Sequence, residues 1–153
     1  MLFRSWFTRQ GVLPGEASAV NSGTMWGLYH GGILQDLLQF ETRFTTDANG
    51  FETQQSGLSR SDKEALTVLA SQTVGTAAGI AIATQLHPTA GSVSLVNSAG
   101  IWANAATLLF IGASGWDVKA EQLEKALLAT TDMAMLGGAW AASKVTEIGR
   151  AHV

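Results

Sequence analysis

Residues 65–116, ALTVLASQTVGTAAGIAIATQLHPTAGSVSLVNSAGIWANAATLLFIGASGW, contain no Asp, Glu, Lys or Arg. Twelve charged residues fall in 1–64 and nine in 117–153, so the charge-free window is 52 residues long. It is broken by His87-Pro88-Thr89-Ala90-Gly91, a turn signal, because Pro pushes the residue before it out of the helical region. The two parts, 65–86 and 92–116, are each long enough as a helix, about 33 Å or more, to cross a bilayer. In the first part Leu66, Val68, Leu69, Val74, Ile80, Ile82 and Leu86 stand against seven Ser, Thr and Gln. That balance suits either a membrane hairpin or two central helices of a soluble bundle, buried all round. The second part is greasier towards Leu108-Leu109-Phe110-Ile111. Trp102 and Trp116 are expected near membrane interfaces.

Working outward, the chain reads as all-α, with about four helices. The first covers about 17–40. The second covers 62–86, opened by a capping box in which Ser61 accepts a backbone N–H and Glu64 reaches back, and closed at His87, whose place near the end carbonyls is favourable. The third runs 93–113 and stops at Gly112-Ala113-Ser114-Gly115, a turn rather than a nucleophile elbow; a strand over Gly91–Val96 is the competing reading there. The fourth runs 117–145 with Asp117 as N-cap. Residues 42–60, with a turn at Asp47-Ala48-Asn49-Gly50, are long for a connection in a compact domain. They are functional, disordered or hide an element.

The helices repeat as pairs. Val20-Asn21-Ser22-Gly23-Thr24-Met25-Trp26 matches Val96-Asn97-Ser98-Ala99-Gly100-Ile101-Trp102 at an offset of 76, and Ala78–Leu86 aligns with Gly137–Val145 at an offset of 59. Glycine inside a helix costs about 1 kcal/mol relative to Ala, so repeated glycines need a reason. Small residues four apart share a helical face. They form the stripes Gly23, Gly27, Gly31; Ser71, Gly75, Gly79, Ala83; Ala99, Ala103, Thr107; and Thr130, Ala134, Gly138, Ala142. Such stripes let backbones approach closely, as in membrane helix packing. Gly75 and Gly79 are expected to face the third or fourth helix. The run Asn21-Ser22-Gly23-x-x-Trp26-Gly27 resembles segments of uncharacterised bacterial proteins rich in glycine-striped helices. The copy at Asn97–Ala103 departs from it, with Ala99 and Ala103 in place of Gly. The resemblance implies no activity and carries over no site.

The chain is 153 residues, 16.0 kDa, with net charge -3 and pI about 5.5. That is one domain without the basic surface a nucleic-acid binder needs. It has no Cys and three His, which excludes disulfides, thiolate zinc sites and a Cys nucleophile. No phosphate loop, Gly-x-Ser-x-Gly or His-Glu-x-x-His is present. His30, Asp36 and Glu41 do not share a helical face, so each is expected to be a surface or satisfied polar group. Asp132, inside an apolar run, is expected to be buried and hydrogen-bonded, or else a relay in a membrane bundle. Trp6, Trp26, Trp102, Trp116 and Trp140 are too scattered for a stacking platform. No catalytic, cofactor or metal residue is assigned.

The termini carry separate readings. Met1–Arg9 lacks the apolar run of a signal peptide. One reverse translation of residues 147–153, GAG ATC GGA AGA GCA CAC GTC, contains from its AG onward the start of a sequencing adapter whose next triplet is a stop. The expectation is one helical domain over 1–146, continuing natively past Thr146, and a tail in which Arg150 and His152 carry no function. The composition points to a non-enzymatic, membrane-associated or cell-envelope structural protein, partnered by lipid or by further copies of itself. A soluble, cytoplasmic helical scaffold or protein-interaction module is the alternative.

Overall fold

In a computed structural model of the chain, residues 11–40, 44–46, 50, 52–54 and 57–150 are described. The readings on Met1–Arg9, Glu41, 47–49 and 151–153 lie outside them. The fold is all-α, with four helices among the described residues: α1 (Pro14–Leu37), α2 (Arg60–Leu86), α3 (Ala90–Ser114) and α4 (Ala120–Arg150). The 42–60 connection hides a short antiparallel ribbon, β1 (Phe44–Thr46) and β2 (Glu52–Gln54), with Thr45 opposite Thr53.

The helix ends follow their side chains. Pro14 opens α1, where its fixed φ suits the first turn, and the Glu16 carboxylate accepts the Leu13 N–H at 3.2 Å. The capping box of α2 lies two residues upstream of the Ser61–Glu64 reading. Ser59 Oγ accepts the Asp62 N–H at 3.1 Å, and Asp62 Oδ2 accepts the Ser59 N–H at 3.0 Å. Glu64 is instead engaged by Arg60 at 2.6 Å, one turn away. Thr89 caps α3 by accepting the Ser92 N–H at 3.1 Å, so Gly91–Val96 is helical and not a strand. Asp117 does not cap α4, which starts three residues later; there Lys119 N donates to Gln122 Oε1 at 3.4 Å. Gly115, at φ 65, closes α3 in the left-handed conformation that glycine adopts without strain. The backbone of α4 continues as helix through Arg150, past the expected end at 145.

The helices form two antiparallel pairs, α1 with α2 and α3 with α4. α1 is the centre, packing also on α3 and α4, whereas α2 packs on α1 alone although α3 follows it after a short turn. Gly75 and Gly79 therefore face α1, not α3 or α4. The reason lies in α1's own stripe, which brings glycine backbone against glycine backbone. A methyl built on Gly79 would lie 2.6 Å from the Ala19 carbonyl oxygen, and one on Gly27 2.5 Å from that of Ser71. One on Gly75 would run into the Gly23 carbonyl. The α3–α4 seam is looser. A methyl on Gly138 would sit 3.1 Å from the Ala99 Cβ, and Thr107 Oγ1 lies 3.0 Å from Thr130 Oγ1. Gly23 against Gly79 in one pair corresponds, at the offsets of 76 and 59, to Ala99 against Gly138 in the other.

The interior is made of small and polar groups. Among the described residues the buried apolar side chains are Ala19, Trp26, Ala83, Val93 and Ala142, of which Trp26 is the largest. Thr131 is 0% exposed. Leu69, Val74, Leu86, Leu109, Phe110 and Leu136 all point outward. Trp102 is 72% exposed and stands in the middle of α3, not near its end. Trp116 lies just past that end, edge-on to Phe110 with ring centroids 5.5 Å apart.

Candidate functional site: the polar seam between the helix pairs

Where α1 meets α3 and α4, the sequence places aromatic residues on one side and Asn, Thr and Asp on the other. Ser22, Trp26 and Tyr29 share a face of α1 by their spacing of four and three. Asn97 and Asn104, seven apart, share a face of α3. Trp26 Nε1 donates to Asn97 Oδ1 at 2.9 Å, and Asn97 Nδ2 donates to Ser22 Oγ at 2.7 Å. Tyr29 Oη donates to Asn104 Oδ1 at 2.6 Å. The Asn104 amide donates onward to Thr131 Oγ1 at 2.7 Å and to the Gly100 carbonyl at 3.0 Å. Trp26 meets Tyr29 edge-on with ring centroids 5.4 Å apart, and Tyr29 meets His30 in the same way at 5.5 Å. No described side chain buries an unpaired polar atom. An unpaired one would cost about 1–3 kcal/mol.

His30 closes the seam. Its Nδ1 donates to the Trp26 carbonyl at 2.7 Å, and its Nε2 lies 2.8 Å from Asp132 Oδ1 on α4. With Nδ1 donating, the Nε2–Oδ1 contact is a hydrogen bond when one proton lies between the two atoms, on either side. Asp132 is thus hydrogen-bonded as expected but not buried, its side chain being 56% exposed. Asp36 is exposed on the far turn of α1 and joins neither residue. Among the described residues no three His, Asp or Glu converge as metal ligands would.

A second polar contact sits at the start of α1. Gly15 packs against the Pro88–Thr89 turn, and this brings the buried Glu16 to His87. His87 ends α2 as expected, but its ring turns to Glu16 Oε1 at 2.8 Å. The His87 hydrogen bond, helped by the Leu13 N–H and opposed by burial, holds the Glu16 carboxyl below its ordinary value of 4.5. A carboxyl lowered in the folded state contributes stability above its unfolded value, and that contribution is lost as pH falls through the folded one. Thermal melts from pH 7 down through the carboxylate range should show a falling midpoint. Glu16→Gln should have a lower midpoint at pH 7 and a shallower fall. Parallel curves would show that the pair is not linked to folding.

The sequence reading missed the two asparagines. Their signal was available: two amides two turns apart on one face of a charge-free segment need partners. Glu16 gave no comparable signal, since its burial depends on a turn 72 residues away. The arrangement suits holding helices together, through amide bridges and one aromatic anchor. Compared with known protein families, curated proteins and solved structures, the chain matches none.

Proposed function

We propose that the chain is a non-enzymatic, membrane-embedded structural protein of the cell envelope, with α2 and α3 crossing the bilayer as a hairpin. The observation that carries this reading is the inverted distribution of side chains. Both helices are long and apolar enough to span, and only 6% of each spanning window is buried inside the protein. A core helix of a soluble bundle is mostly covered; these are not. Without a hydrophobic interior, cohesion comes from small-residue stripes and interhelical hydrogen bonds, the two devices that hold helices together in lipid. The charges agree. Arg60, Asp62, Lys63 and Glu64 lie at the start of α2, and Asp117 and Lys119 follow the end of α3. The antiparallel course of the hairpin puts both groups at one boundary.

The alternative, a soluble scaffold or interaction module, draws on α4. That helix carries Glu121, Glu124, Lys125 and the half-exposed Asp132, an expensive residue to place against lipid. A high-pH carbonate wash of expressing cells separates the two. The membrane reading expects the protein in the pellet and its extraction by detergent alone. Release as a monodisperse folded species would overturn it.

A further inference from the structure

The seam between the pairs has a free counterpart at each side of the molecule. α1 presents Ser22, Trp26 and Tyr29 to the outer face of the α3–α4 pair. At the offset of 76, α3 carries Ser98, Trp102 and Ala105 on its own corresponding face, and Trp102 is exposed. The receiving face has a counterpart too. Trp26 sits where Asn97, Gly100 and Met135 converge. The equivalent positions in the first pair are Asn21, Thr24 and Thr76. Around Thr76 the surface of α2 carries a shallow, open depression lined by Gln72, Thr73, Thr76, Ala77 and Ile80. On α1, whose Thr24 bonds Thr76 at 2.8 Å, Asn21, Met25 and Leu28 are exposed. A tryptophan without a seat and a seat without a tryptophan stand at equivalent positions of one repeat.

We propose that a second copy of the chain docks head to tail on the first helix pair, its Trp102 seated in the Thr76 depression as Trp26 is seated on the α3–α4 pair. The contact extends the established α1–α3 seam by the same geometry, and its partners match. Asn21 is placed to accept from the Trp102 indole and to donate to Ser98, as Asn97 does with Trp26 and Ser22. Where the internal seam pairs Tyr29 with Asn104, the free faces offer Ala105 and Leu28, both apolar. Where it pairs His30 with Asp132, they offer Ala106 and Thr73. Thr73 stays polar, and its hydroxyl is satisfied within α2, where it donates to the Leu69 carbonyl at 2.7 Å. The room for the indole shifts from one helix to the other: Thr24 is larger than Gly100, and Thr76 is smaller than Met135. α1 and α3 run in the same direction, so the step relating copies keeps all helix axes aligned, in lipid or in water. The interface is heterologous, joining unlike faces. The proposal goes beyond the membrane reading and does not depend on it.

The test exploits the absence of cysteine. Asn21→Cys and Ser98→Cys chains with different tags are co-expressed, purified in detergent and treated with a short bismaleimide. Cross-linking between the two variants, with neither linking to itself, is the expected result. Self-linking of either variant at equal yield, or no link at all, overturns the head-to-tail contact. In parallel, sedimentation of the full chain should show self-association weakened at least about tenfold by Trp102→Ala and abolished by Ala77→Trp, which fills the depression. Trp140→Ala, an exposed tryptophan on another face, should associate like the wild type. Association of Trp102→Ala at wild-type strength overturns the proposal.

Discussion

Trp26→Ala should lower the stability of the monomer by about 3–5 kcal/mol, the usual cost of truncating a buried aromatic side chain. Trp102→Ala should leave it within error. The two residues stand at matching positions of segments 76 residues apart and differ in what covers them. Trp26 is 7% exposed, and its ring fills the space left by Gly100 beside Met135. Its removal opens a cavity where a large apolar ring joins the two pairs. It also strips the indole donor from Asn97, whose amide is then held by Ser22 alone. The first pair would keep its glycine seam, so the loss should appear as separation of the pairs rather than complete melting. Denaturant titration in detergent, below the concentration at which copies associate, measures both variants. Equal losses for Trp26→Ala and Trp102→Ala would mean that the seam is not where the pairs are joined.

Much of this architecture is legible in the chain, because periodicity and smallness are local. The charge-free window with a His87-Pro88 break gives two helices and a turn. The stripes give the faces that pack, and the matching segments at offsets of 76 and 59 suggest the pairing of first with second and third with fourth that the helices adopt. What periodicity cannot give is the partner of a stripe. Gly75 and Gly79 carry no mark distinguishing α1 from α3, and the choice rests on which opposing stripe is glycine rather than alanine. The cap of α2 is ambiguous in the sequence for a similar reason. Ser59 and Ser61 both precede acidic residues, and the choice was settled by Arg60 drawing Glu64 away. The polar seam is half visible in the sequence: His30 and Asp132 each stand out alone, 102 residues apart, with nothing in either neighbourhood to join them. Asp132 is partnered yet exposed because its contact lies at the edge of the seam, where α4 passes α1.

The glycine seam makes the sharpest contrast in sign. Gly75→Ala should destabilise the protein, whereas Gly137→Ala should stabilise it by up to about 1 kcal/mol. Both replace a helical glycine with the best helix former, so both gain the same backbone propensity. At Gly137 no atom lies within 4 Å of the added methyl, and nothing opposes that gain. At Gly75 the methyl would strike the Gly23 carbonyl and come within 2.8 Å of the Gly27 Cα. These are backbone atoms of a packed helix and cannot rotate away. Relief requires α1 and α2 to separate along the seam, which loosens Gly23, Gly27 and Gly79 together and stretches the 2.8 Å Thr24–Thr76 hydrogen bond. Overpacking of this kind costs about 1–3 kcal/mol, enough to cancel the propensity gain and reverse it. Gly75→Leu enlarges the same clash and should cost more. Thermal midpoints of the three variants in one detergent settle the order. If Gly75→Ala is stabilised as much as Gly137→Ala, the helices do not meet backbone to backbone, and the account of the small-residue stripes fails with it.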